Sequence, residues 1–133
     1  DYSLLGTAAA DDIDGSAIND IIIGAPGNDT LFGDDGNDQF YYSDAGSDGQ
    51  DVIEDFGANG DSDVINLSAI FDRLDIAPGE RADHVFFSES GGNTTITVTD
   101  GSNAEIAGFS IVVENVSLDN SDITNGKIVV DES

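Results

Sequence analysis

The chain has no cysteine, no methionine and no tryptophan, and only 2 prolines among its 133 residues. Without cysteine there is no disulfide, no thiolate nucleophile and no thiolate zinc site. The single histidine, His84, cannot build a zinc centre with histidine partners. Positive charge is nearly absent: 3 Lys+Arg stand against 28 Asp+Glu, a formal net charge of -25. Such a polyanion is expected to bind neither nucleic acid nor an anionic membrane surface unaided. No run of eighteen apolar residues could cross a bilayer as a helix, and no basic stretch followed by an apolar one opens the chain. The chain begins at Asp1 without methionine, and it reads as a monomeric piece of something longer, with further domains upstream.

What remains is acid, glycine and β-forming hydrophobes. Of the acids, 22 are Asp, and Gly contributes 16 residues, yet 38% of the chain is hydrophobic and much of that is Ile, Val, Leu and Phe. A chain with this charge and this much core-forming side chain needs its charge neutralised before it collapses. A hard divalent cation does that, because its ligands are carboxylates and carbonyls.

The acid is ordered in a repeat. From Gly6 the chain divides into nines: GTAAADDID, GSAINDIII from Gly15, GAPGNDTLF from Gly24 and GDDGNDQFY from Gly33. Position one is always Gly, position six is Asp (Asp11, Asp20, Asp29, Asp38), and position eight is a large hydrophobe (Ile13, Ile22, Leu31, Phe40). The later units add Gly27 and Gly36 at position four, followed by the turn formers Asn28 and Asn37. The last three residues of each unit suit a very short strand whose middle side chain points inward. Repetition then predicts a flattened right-handed spiral with two units per coil, unit one stacking on three and unit two on four.

That stacking brings Asp11 near Asp29 and Asp20 near Asp38. Strands about 4.8 Å apart put like charges close enough to repel. A Ca²⁺ between them reverses the sign, taking about six to eight oxygens, whereas Mg²⁺ prefers a small regular octahedron and keeps its waters. The candidate ligands are the four aspartates together with the turn residues Gly24, Pro26 and Asn28 of unit three, and Gly33, Asp35 and Asn37 of unit four. Asp51 and Asp55 follow as ligands of the last ion, and Asp44 or Asp48 could complete a site in the loop 43–50. About three to five ions in all are expected for such a ligand set.

Units three and four resemble the RTX, or haemolysin-type, calcium-binding repeat of secreted Gram-negative proteins, whose pattern is GGxGxDxUx with U a large hydrophobe. Ala25 and Asp34 depart from it where the pattern has a second Gly, and Ile18 departs at position four of unit two. The stretches DVIEDF (51–56) and DVINLS (63–68) are similar to the segment that follows the repeats in type I secretion target domains. GNTTITV, GFSIVVENVSL and NGKIVVD are similar to that family's later strands. The resemblance implies the C-terminal module of a secreted RTX protein, most similar to an adhesin, with an uncleaved signal for a type I exporter (ATPase, adaptor and outer-membrane channel). It also strengthens Asp55 as a ligand. The expected fold is all-β: a parallel β-roll over residues 1–56, then a β-rich cap with one or two short helices over 57–133 that also carries the secretion signal. The cell surface or the extracellular space is the implied location.

Two other readings compete with this one. A polysaccharide-binding R-module shares these nonapeptides, but Lys127, Arg73 and Arg81 cannot form a cationic stripe. An enzyme is disfavoured because a strict ladder of aspartates lacks the one unusual pair that acid–base chemistry requires, and no nucleophile or phosphate-loop motif is present.

In the C-terminal half the pattern predicts a strand at 63–67, a short helix capped by Ser68 and broken at Pro78-Gly79, and a hairpin turning at Ser90–Asn93. A brief strand at 104–107 and strands near 109–116 and 127–130 follow. His84 is assigned a structural place.

Overall fold

A computed structural model describes residues 2–131. The chain is β-rich, mostly parallel and solenoid-like. In chain order the elements are β1 (Tyr2–Leu5), β2 (Asp12–Asp14), β3 (Asp20–Ile23), β4 (Thr30–Phe32), β5 (Gln39–Tyr41), β6 (Gln50–Ile53) and β7 (Val64–Asn66). Then follow α1 (Ser68–Arg73), β8 (Val85–Ser90), β9 (Asn93–Val98), β10 (Ser110–Val113), α2 (Asn120–Thr124) and β11 (Ile128–Val129). Odd and even strands of the repeats separate into two sheets. One has the order β1-β3-β5-β7-β11, the other β2-β4-β6-β10-β9-β8. Unit one therefore stacks on unit three and unit two on unit four, as the period of nine requires.

Position eight builds the core. In the first sheet Leu4, Ile22, Phe40, Ile65 and Ile128 stand in register across five strands. In the second, Ile13, Leu31, Ile53 and Val113 do the same. From Ile22 and Leu31 onward these side chains are essentially fully buried, each contributing about 1.5–3 kcal/mol of hydrophobic stabilisation. Leu4 and Ile13, in the outermost strands, are only partly covered. Strands this short gain little from intrinsic propensity, so the ladder of inward hydrophobes is what fixes their register.

The C-terminal half continues both sheets. β10 lies parallel to β6, and β9 and β8 extend it antiparallel as a hairpin; β11 lies parallel to β7. Both late coil edges are thus paired instead of presenting open N–H and C=O groups. The hairpin turns through Gly91 and Gly92, both at positive φ, as a two-residue turn with right-handed strand twist requires. Arg81 ties the cap together from inside. Its buried guanidinium donates to the carbonyls of Ile76 and Val130 at 2.8 and 3.0 Å and to Asp72 at 2.7 Å.

Three local expectations are corrected. Ser68 is not the cap of α1 but its first residue. Asn66 Oδ1 does the capping, accepting from the Ser68 N–H at 3.0 Å and its hydroxyl at 2.7 Å. Pro78 does not merely break a helix; it opens a 3-10 helix, Pro78–His84, where a fixed φ suits the first turn. Residues 104–107 make one antiparallel bridge, Glu105 with Thr99, not a strand. His84 is buried and its Nδ1 lies 2.8 Å from Thr99 Oγ1, a structural pairing. Among the described residues no helix is long and apolar enough to cross a membrane.

Candidate metal centre

The position-six aspartates of units two to four, and their later counterparts Asp51 and Asp63, reach back to the preceding coil. Asp29 Oδ1 accepts the Asp11 N–H at 2.8 Å, and Asp51 Oδ1 accepts the Asp29 N–H at 2.9 Å. Along the other edge Asp20 accepts from Tyr2 N–H, Asp38 from Asp20 N–H at 2.8 Å, and Asp63 from Asp38 N–H at 2.9 Å. The N–H groups of Asp20, Asp29 and Asp38 are buried and must find an acceptor. The asparagines before them stitch the opposite way: Asn19 accepts from Asn37 N–H, Asn28 from Gln50 N–H and Asn37 from Ser62 N–H. Adjacent coils are therefore locked by side chain–backbone bonds in both directions.

The second carboxylate oxygens set up the chemistry. Asp29 Oδ2, Asp38 Oδ2 and Asp51 Oδ2 are buried and have no hydrogen-bond partner, in residues only 1% exposed. A buried polar atom left this way costs about 1–3 kcal/mol, and more when it is charged. Burial is the leading cause that raises all three carboxyls, Asp38 to about 6 and Asp51 to about 7. Neighbouring acids add to it: Asp11 on Asp29; Asp63, Asp20 and Asp55 on Asp38; Asp29 and Asp48 on Asp51. The Tyr42 hydroxyl faces Asp51 but is itself without a well-formed hydrogen bond, and its ionisation is pushed well up by burial and by Asp51, Asp48 and Asp29.

Glycine keeps the space beside these oxygens open. A Cβ on Gly24 would collide with Asp29 Oδ2, and one on Gly33 with Asp38 Oδ2. Among the described residues no three acidic or histidine side chains converge as a ready cage. A cation here would take carboxylate oxygens from one ladder and most of its remaining ligands from backbone carbonyls. That donor set is hard, anionic and all-oxygen, and it fits a calcium ion better than a thiophilic or imidazole-seeking metal.

The structure distributes the sequence candidates unevenly. Asp29, Asp38 and Asp51 are the aspartates with a buried free oxygen. Asp11 and Asp20 stand in the same ladders, but Asp11 Oδ2 accepts the Thr7 N–H at 2.6 Å and Asp20 Oδ2 the Ser16 N–H at 2.7 Å. Asp55 sits beneath the turn of unit four and uses both oxygens on the N–H groups of Gly33 and Asp34. Asp35 is exposed and accepts from Asn59 Nδ2, and Pro26 is exposed beside Gly27. Asn28 and Asn37 spend their side-chain oxygens on coil stitching, while Gly24 and Gly33 serve as the openings. Asp48 is buried and caps the N–H groups of Ser43 and Asp44; Asp44 lies outside it, 4.0 Å from Arg73.

Two members were not foreseen. Asp63 continues the ladder of Asp20 and Asp38, and Tyr42 joins the cluster of Asp29, Asp48 and Asp51. A signal for Asp63 does exist. Asp51-Val52-Ile53 and Asp63-Val64-Ile65 repeat the Asp-x-hydrophobe core of each nonapeptide, but after loops that stretch the coil spacing from 18 residues to 22 and 25.

Residues 5–43 match the RTX calcium-binding nonapeptide repeat, in four copies. This is an RTX-type calcium-binding region. No curated protein matches the chain. RTX repeats bind calcium as a class, and the orphaned oxygens lie in or directly after the RTX region. Its departures from the pattern also have a structural reading. Ala25 and Asp34 occupy position two at φ 71° and 68°, the left-handed region that glycine enters freely. Each residue with a Cβ held there costs about 1–2 kcal/mol, so these two turns form at the expense of some stability.

Proposed function

We propose that the chain is a non-enzymatic, calcium-dependent folding module. It forms the C-terminal part of a secreted RTX protein of the adhesin type, closes that protein's right-handed β-roll, and carries the uncleaved signal read by a type I exporter. The observation that supports this most is the set of buried, unpartnered oxygens on Asp29, Asp38 and Asp51. Asp29 with Asp51 on one edge, and Asp38 on the other, would hold the ions together with turn carbonyls near Gly24 and Gly33. When bound, calcium supplies charge neutralisation and nothing more; no reaction is implied.

Linkage then gives the biology its direction. Where free calcium is very low, inside the cell, the buried carboxylates repel one another and the chain stays extended, fit for threading through a channel. Outside, at near-millimolar calcium, binding free energy becomes folding free energy. The pairing of β10 onto β6 and of β11 onto β7 supports the capping role, because a solenoid with an open last coil would aggregate.

A far-UV circular dichroism titration of the chain tests the calcium half of the reading. The expected result is a weakly structured chain in chelator that becomes β-rich with calcium and not with the same concentration of magnesium; identical spectra in all three would refute it. Export is tested separately, by fusing residues 1–133 behind a passenger in cells that carry a type I exporter. The passenger is expected in the medium, and its retention in the cytosol would remove the secretion assignment.

A further inference from the structure

The four repeats share one pattern but have two turn conformations. In units three and four, position two is left-handed (Ala25, Asp34) and position four is a glycine at φ 128° or 113° (Gly27, Gly36). The position-two N–H then makes no bond to the second oxygen of its own aspartate. That of Asp34, for instance, donates to Asp55. In these units the aspartate keeps a buried oxygen without a partner.

Units one and two are built otherwise. Their position-two residues are Thr7 and Ser16, their position-four residues are Ala9 and Ile18, and none of these has positive φ. The Thr7 N–H lies 2.6 Å from Asp11 Oδ2 and its hydroxyl 3.0 Å from the same oxygen. The Ser16 N–H lies 2.7 Å from Asp20 Oδ2 and its hydroxyl 2.9 Å away. In both cases the oxygen that is orphaned in units three and four receives two donors. A β-branched Thr strongly resists the left-handed region, and Ile18 cannot adopt the φ that Gly36 holds. The alternative turn is therefore closed to these two units.

From this contrast we infer that the first two units are metal-independent coils, in which the hydroxyl and N–H of Thr7 and Ser16 stand where units three and four present a carboxylate oxygen to calcium. Asp11 and Asp20 are then structural acceptors instead of ligands. Calcium binding begins at Asp29, and the N-terminal coils fold onto a metallated base without ions of their own. The inference rests on the calcium reading above, and it names the residues that decide which repeats are loaded.

The test counts calcium ions per chain by equilibrium dialysis of the full-length chain and variants, with circular dichroism on the same samples. Asp20→Asn keeps an amide oxygen for the two Ser16 donors and gives up only the longer Tyr2 N–H bond of 3.2 Å; it should leave the ion count of the wild type unchanged, whereas Asp38→Asn should lower it. The double variant Ser16→Gly/Ile18→Gly frees both turn positions and should gain one ion per chain; Ile18 is exposed, so the core is not disturbed. Loss of an ion in Asp20→Asn, or a folded double variant with an unchanged count, overturns the inference. Should the double variant fail to fold, the Asp20→Asn count decides alone. A wild-type chain that binds no calcium at all would instead defeat the reading on which the inference rests.

Discussion

Asp51→Asn should have opposite effects on stability with and without calcium. In chelator near neutral pH the wild-type carboxylate is buried, one oxygen has no well-formed hydrogen bond, and Asp29 and Asp48 repel it. The amide removes that charge, keeps an oxygen for the Asp29 N–H, and places an NH₂ toward the Tyr42 hydroxyl. The metal-free chain should gain about 1–3 kcal/mol, the usual cost of an unsatisfied buried group. In saturating calcium the same change deletes a ligand, so the calcium midpoint of folding should rise about tenfold or more, equivalent to about 1.4 kcal/mol or more. Far-UV circular dichroism in chelator, where the variant should show more β-structure than the wild type, and the calcium midpoint of folding measure the two effects. A variant that destabilises equally in the two conditions would show that Asp51 does no more than stitch coils.

Acid should act as a substitute for calcium. Asp29, Asp38, Asp48, Asp51 and Asp63 all have carboxyls raised from the ordinary 3.8, with burial the first cause in each. For a raised carboxyl the folded state binds more protons than the unfolded one between the two values. Stability therefore falls as pH rises through that window and is recovered as pH falls. For Asp51 the window runs from 3.8 to about 7, and for Asp38 from 3.8 to about 6. In chelator, β-structure read by circular dichroism should increase as pH is lowered from about 8 to about 5, the reverse of ordinary acid destabilisation. In calcium the sign inverts, because protons compete for the same oxygens, and acidification should release the ion and lower the melting temperature. A metal-free chain that loses stability on mild acidification would contradict the assignment of buried, repelling carboxylates.

Much of this was legible in the sequence for identifiable reasons. The period of nine specifies coil length, so the pairing of β2 with β4 and of β3 with β5 follows from counting. Position eight specifies what faces inward, and Ile22, Leu31 and Phe40 are buried accordingly. The ladders beyond the repeats were less legible, because loops 43–50 and 57–62 shift the spacing while keeping Asp-x-hydrophobe. Asp51 was found through its flanking motif, and Asp63 was not found as a ladder member. Tyr42 was hidden for another reason: an aromatic at a strand end has no spacing signal, and only the folded chain brings its hydroxyl to Asp51. The difference between Asp20 and Asp38 could not be read from position six at all. It lies four residues earlier, in whether a serine or a left-handed residue occupies position two. The 3-10 helix at Pro78 and the capping role of Asn66 were missed because the same residues are equally good at ending structure and at starting it.

The central claim is that calcium occupies the space beside the unpartnered oxygens of Asp29, Asp38 and Asp51. A crystal structure of the chain grown in calcium, with anomalous scattering to identify the ion, tests it most directly. The account predicts ions about 2.3–2.6 Å from those three oxygens, completed by backbone carbonyls. Ordered crystals grown in saturating calcium in which those oxygens contact only protein or water would contradict it.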